Sequence, residues 1–267
     1  MKFDLSKANY RIEGSGLPLY LIGGQFMTIK GWQPTIEDLK RFYKVIVLEY
    51  PNQGDSEVNL EFDNLRLYSE YSRDFLEAIE VDPQETVCFG LSFGANIIKS
   101  MTFDLGLKFK AAILAGVSSY KIKDYIVENY KLWIDIIKTG QLEILSKVIN
   151  LKLLSPTFVA KSAGFLDFAA KQMKEGYENK KEALICLLQA TINYLNEIDA
   201  NSDKNFPYDV YFIGAKSDPM MPINYVREYA EQQNSKLYEL EGGHIMTMEH
   251  PFELISIIED IVSKYDI

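Results

Sequence analysis

Histidine and cysteine are scarce in this chain, with two of each in 267 residues. Their positions, Cys88, Cys186, His244 and His250, are too few and too scattered for a metal-ligand cluster, so neither a metal nor an organic cofactor is expected. Cys88 falls in an apolar strand-like run and Cys186 in an apolar helix-like one. Both read as buried thiols rather than a disulfide, and the expected compartment is the reducing cytoplasm. Basic residues are outnumbered, 28 Lys and Arg against 38 Asp and Glu, for a formal net charge of −10. Such a surface repels phosphate backbones, which argues against nucleic acid as a partner. No apolar run is long enough for a membrane span, because Gly and Pro interrupt the longer uncharged stretches. The first residues, Met1-Lys2-Phe3-Asp4-Leu5-Ser6-Lys7, lack the apolar core of a signal peptide.

What remains is ordinary for a soluble globular chain, 47% hydrophobic and 25% charged. The length suits one α/β domain with an insertion better than two full domains. Short β-rich runs recur at Leu19-Tyr20-Leu21-Ile22, Val45-Ile46-Val47-Leu48, Thr86-Val87-Cys88-Phe89, Ala111-Ala112-Ile113-Leu114-Ala115, Val210-Tyr211-Phe212-Ile213-Gly214 and Lys236-Leu237-Tyr238-Glu239-Leu240. Continuous apolar runs mark strands covered on both faces, so a mostly parallel central sheet flanked by helices is expected. Each run breaks into Gly, Pro or polar residues at its C-terminal end, the edge where open α/β sheets place their sites. Leu254, Ile258, Ile261 and Tyr265 mark one face of a last helix, which should pack on the sheet. Residues 118–205 contain no convincing strand, but they carry the helical stripe Ile126, Tyr130, Trp133 and Ile137. One crossover needs far fewer residues, so this segment is expected to form an inserted helical cap on a core of residues 1–117 and 206–267.

Gly90-Leu91-Ser92-Phe93-Gly94 follows a buried strand and precedes Ala95, Ile97, Ile98 and Met101 at helical spacing. A serine at such a turn is lifted out of the sheet, and only small residues fit two places before and after it. Its hydroxyl then lies at a helix N-terminus, where free N–H groups can stabilise an oxyanion. A glycine-rich turn without chemistry is the alternative, and the context favours a nucleophile. A serine needs a base, usually histidine. His244 follows Glu241-Gly242-Gly243 directly after the last apolar strand, whereas His250 stands before Pro251 at a helix start. The base in turn needs a carboxylate to hold its tautomer. Asp218, after Ile213-Gly214-Ala215-Lys216-Ser217, is better placed for this than Asp124 or Glu241.

These stretches together resemble the α/β-hydrolase superfamily, as a serine hydrolase with a helical cap. The pentapeptide resembles its nucleophile elbow. Asp218-Pro219 resembles the acid loop, and Gly243-His244 with Glu249-His250-Pro251 the histidine loop. Tyr50-Pro51-Asn52-Gln53-Gly54-Asp55-Ser56 resembles a loop that often reads Asp-x-Arg-Gly-x-Gly-x-Ser, here without its arginine. Gly23-Gly24 stands where family members usually carry His-Gly. The resemblance implies Ser92, Asp218 and His244 as catalytic residues and the N–H groups of Gln25 and Phe93 as oxyanion donors. Gly24, Phe26, Trp133 and Phe165 are expected around the substrate.

The activity so implied is hydrolysis of an ester or thioester of a small, largely apolar molecule, with the acyl group free or presented on a carrier. Two other readings stay open: an acyltransferase that passes the acyl group to a hydroxyl, and a non-catalytic relative that only binds a ligand. Fold alone does not separate them.

Overall fold

A computed structural model describes residues 3–202 and 204–266. Among them, seven strands form one sheet: β1 (Asn9–Glu13), β2 (Pro18–Ile22), β3 (Lys44–Glu49), β4 (Val87–Leu91), β5 (Ala111–Ala115), β6 (Asp209–Ala215) and β7 (Leu237–Leu240). The order is β1-β3-β2-β4-β5-β6-β7, with β1 antiparallel to β3 and every other neighbouring pair parallel. The mostly parallel sheet expected from the apolar runs is therefore present.

β1 is an addition to that expectation. Its sequence Asn-Tyr-Arg-Ile-Glu is only partly buried, because it lies at an edge and pairs with β3 alone. An edge strand covers little apolar surface and so carries no continuous apolar run.

Successive residues of the central strands point to opposite faces and feed two cores. Tyr20, Ile22, Ile46, Leu48, Cys88, Ala112, Leu114 and Phe212 enter one. Leu19, Leu21, Val45, Val47, Phe89, Ile113 and Ile213 enter the other. The helices are α1 (Gln33–Leu39), α2 (Leu65–Ala78), α3 (Phe93–Phe103), α4 (Lys123–Lys138), α5 (Leu142–Leu153), α6 (Pro156–Lys161), α7 (Phe165–Tyr177), α8 (Lys181–Glu197), α9 (Ile223–Gln232), α10 (Met246–Glu249) and α11 (Pro251–Val262).

α1 and α11 cover one face, and α11 does so with Leu254, Ile258 and Ile261 of the stripe read from the sequence, joined by Ile255 and Val262. α2, α3 and α9 cover the other. Ala95, Ile97, Ile98 and Met101 of α3 are fully buried there.

All described residues between β5 and β6 are helical or loop, and α4, α5 and α8 extend the first of these cores, the larger one. Ile126, Tyr130, Trp133 and Ile137 form the buried face of α4, as their spacing predicts. α4 packs on α8 and α5 on α7. Three groups of hydrogen bonds hold this helical segment against loops at the C-terminal edge of the sheet. Gln25 Nε2 donates to Thr191 Oγ1 (2.7 Å) and to the Leu187 carbonyl (3.1 Å) on α8. Gly54 N–H donates to the Tyr177 hydroxyl at 2.8 Å. His244 N–H donates to the Leu153 carbonyl at 2.7 Å.

Candidate active site

Ser92 joins β4 to α3 with φ 53° and ψ −107°. For a non-glycine residue this is a strained conformation, costing roughly 1–3 kcal/mol. The packing explains why it persists. A Cβ at Gly90 would lie 2.6 Å from Ala95 N, and one at Gly94 would lie 2.2 Å from the Ile22 carbonyl oxygen. Helix and strands approach so closely that neither position has room for a side chain. Ser92 N–H donates to the Ala115 carbonyl at 2.7 Å, which ties the turn to the end of β5. The serine stays partly exposed while its neighbours Leu91 and Phe93 are buried.

β6 and β7 deliver the other two side chains to the same edge. Lys216 N–H donates to the Leu240 carbonyl and Ser217 N–H to the Gly242 carbonyl, each at 2.9 Å, so the pairing continues beyond the strands into both loops. Asp218 and His244 are thereby brought together, with Nδ1 of the imidazole 2.6 Å from Oδ2 of the carboxylate. The other oxygen, Oδ1, accepts from the main-chain N–H groups of Met220 and Met221, both at 2.8 Å. Asp218 is 4% exposed and His244 6%. A buried carboxylate with three donors is fixed in orientation. Its bond to Nδ1–H leaves the Nε2 lone pair as the acceptor of the ring.

The rival groups lie elsewhere. Asp124 is exposed in the first turn of α4, and exposed Glu241 pairs with Lys216 at 2.6 Å. His250 faces Glu253 at 3.0 Å.

Gly24 follows β2 and lies against the serine, where an added Cβ would be 3.8 Å from Ser92 Cβ. Its carbonyl accepts from Met27 N–H (3.2 Å) and Gln53 Nε2 (3.4 Å). In a trans peptide the N–H of Gln25 points the opposite way. Phe93 is the first residue of α3, where main-chain N–H groups have no partner within the helix. Phe26 is partly buried against the larger core. Trp133 is buried within that core, 5.0 Å between centroids from Tyr130. Phe165 meets Phe158 edge-on at 5.7 Å.

Two polar residues add to those expected. Buried Gln53 props the Gly24 carbonyl. Buried Glu49, at the end of β3, accepts from Asn9 Nδ2 (3.0 Å), Asp55 N–H (2.6 Å) and Ile29 N–H (2.9 Å), tying together the loops that follow β2 and β3. Gln53 lies in a loop singled out from the sequence; Glu49 reads there only as a strand end. Among the described residues no group of three or more His, Cys, Asp or Glu side chains is arranged to hold a metal ion. No helix among them is long and apolar enough to cross a membrane.

This sheet order, with the serine turn after β4, defines the α/β-hydrolase fold. Comparison with solved structures agrees. The chain superimposes on an α/β-hydrolase enzyme from a Medee basin deep-sea metagenome library with a TM-score of 0.84, over 96% of this chain and 94% of the other, at 16% identity. A thermophilic esterase from Thermogutta terrifontis gives 0.81 at 15% identity, over 97% and 94% of the two chains. The enol-lactonase from Burkholderia xenovorans LB400 gives 0.80 at 14% identity, over 96% of each. By sequence, the chain is 26% identical over 140 residues to the (E)-2-((N-methylformamido)methylene)succinate hydrolase of Acinetobacter baylyi. That match spans about half of each protein, 51% of this chain and 51% of the relative. No protein-family model matches the chain.

Proposed function

We propose that the protein is a serine hydrolase that cleaves an ester or thioester of a small, largely apolar molecule, with Ser92 as nucleophile, His244 as base and Asp218 as its partner. The observation that carries this reading is the buried 2.6 Å contact of His244 Nδ1 with Asp218 Oδ2, on the edge where strained Ser92 stands. Ser92 Oγ attacks the carbonyl carbon while its proton passes to His244 Nε2. The N–H groups of Phe93 and Gln25 receive the charge on the carbonyl oxygen. As the tetrahedral intermediate collapses, the bond to the leaving oxygen or sulfur breaks and the imidazolium returns the proton to it. Water then attacks the acyl-serine with the same base, releasing the acid. Asp218 stays ionised and holds the ring throughout.

The helical segment of residues 118–205 serves in this reading as a cap over the site, supported by its bonds to the loops of Gln25, Gly54 and His244. Its aromatic pair Phe158–Phe165, together with Phe26 in the loop after β2, favours an apolar acyl or ring-bearing substrate. The similar proteins include an esterase, an enol-lactonase and a hydrolase, which favours water over a hydroxyl substrate as the acceptor. Both cysteines are free and buried, in keeping with a cytoplasmic location.

The test is a panel of p-nitrophenyl esters and acyl thioesters, with intact mass recorded after mixing. Release of chromophore together with an acyl adduct on Ser92 is expected, both lost in Ser92→Ala. Labelling by a fluorophosphonate that survives in Ser92→Ala would place the nucleophile elsewhere.

A further inference from the structure

Glu249 ends α10, five residues after His244. Oε1 accepts from Gly243 N–H and from Ser155 N–H, each at 2.9 Å. Oε2 accepts from the Ser155 hydroxyl. Gly243 precedes His244, and Ser155 lies in the turn between α5 and α6. One carboxylate therefore joins the histidine loop to the helical segment. A second link runs beside it, since His244 N–H donates to the carbonyl of Leu153, the last residue of α5. The two surfaces are in close contact here: a Cβ at Gly243 would lie 2.4 Å from the Leu153 carbonyl oxygen.

A local role for Glu249 as a helix cap does not account for this pattern. α6 is already capped by Ser155, whose hydroxyl oxygen accepts from Phe158 N–H at 3.2 Å. Glu249 binds that same hydroxyl from behind and reaches Gly243 with the oxygen it shares with Ser155 N–H. Hydrogen bonds to a charged acceptor are about twice as strong as neutral ones. The bond from Gly243 N–H restrains the loop that carries the imidazole, and the two bonds from Ser155 tie that loop to the turn between α5 and α6.

We propose that Glu249 is a positioning residue, which locks the His244 loop to the turn between α5 and α6 so that base and helical segment are set as one unit. The proposal rests on the reading of His244 as the base, and it acts through placement of the ring, with no contact to substrate. A displaced base leaves substrate binding intact but slows proton transfer, because a shift of about 1 Å costs on the order of 100-fold in rate.

The test uses Glu249→Ala, Glu249→Gln and Ser155→Ala with p-nitrophenyl butyrate, alongside proton NMR of the imidazoles. Glu249→Ala should lower kcat about tenfold or more with KM nearly unchanged. Glu249→Gln keeps a carbonyl oxygen for the two N–H donors and should recover most of the loss. Ser155→Ala should show a smaller loss in the same direction. The proton on His244 Nδ1, held in a 2.6 Å bond to a carboxylate, should resonate far downfield, disappear in Asp218→Asn and persist in His250→Ala. In Glu249→Ala it should broaden and exchange faster with water. A Glu249→Ala protein with the parent kcat and an unchanged resonance would overturn the proposal, as would a lowered melting temperature with kcat intact. If Glu249→Ala does not fold, Ser155→Ala and Glu249→Gln decide by the same readouts. If the unmodified protein hydrolyses no ester, the hydrolase reading fails while the NMR comparison still decides the role of Glu249.

Discussion

Gly116 stands directly against the His244 ring: a Cβ added there would lie 3.0 Å from Cε1 and 3.4 Å from Nδ1. Gly116 follows Ala115, whose carbonyl holds Ser92 N–H, so the end of β5 abuts both the serine turn and the imidazole. With φ at +58°, a side chain is also strained there. Gly116→Ala should cost about 1–2 kcal/mol in stability from the backbone alone. It should also lower ester turnover about tenfold or more by moving the imidazole. A thermal melt and a p-nitrophenyl ester assay measure the two effects separately.

The two histidines offer a direct comparison. His244→Ala should reduce turnover by several orders of magnitude, and Asp218→Asn by on the order of 10³–10⁴, because it presents the ring in the wrong tautomer. His250→Ala removes only the contact with Glu253 and should change turnover little. An active His244→Ala beside an inactive His250→Ala would reverse the assignment.

Gly94→Ala tests the elbow as a piece of packing. The new Cβ would sit 2.2 Å from the Ile22 carbonyl oxygen, a backbone atom that can move only if β2 moves with it. The expected outcome is a loss of about 3 kcal/mol or failure to fold, at or beyond the upper end of ordinary overpacking. Chemical denaturation with an unchanged midpoint would contradict the close approach.

The cysteines should be inert in the folded protein. Burial pushes the Cys186 thiol up to about 11 and that of Cys88 well above its ordinary value. The reactive thiolate of both is therefore suppressed at mildly alkaline pH and becomes available on unfolding. A thiol reagent should titrate neither cysteine in the native protein and both in concentrated guanidinium.

Much of this arrangement was legible in the residue order. Central strands such as Ala111–Ala115 are buried on both faces, so they must be continuously apolar. The serine and the aspartate follow such strands, β4 and β6, and the histidine follows the partly buried edge strand β7. β1 escaped because Asn9–Glu13 has a polar edge pattern whose partner lies on β3. α11 ends at Val262, short of Tyr265, which packs against the core from the following turn and donates its hydroxyl to Asp209 Oδ2 at 2.6 Å. The roles of Glu49, Gln53 and Glu249 escaped for another reason, although the last two lie in stretches singled out from the sequence. Each matters through main-chain groups distant in sequence, such as Ile29 N–H, the Gly24 carbonyl and Ser155 N–H, and no local pattern encodes such a partner.

The placement of residues 118–205 between adjacent strands has a kinetic consequence. Ala115 pairs with Ile213, about 100 residues further along the chain, and closing so long a loop costs on the order of (3/2)RT ln n before any contact repays it. β6 and β7 must dock across that gap before Asp218 and His244 come near the serine turn. Refolding should therefore restore helical circular dichroism first and the downfield His244 resonance later, with the slow step set by topology rather than by local helix formation.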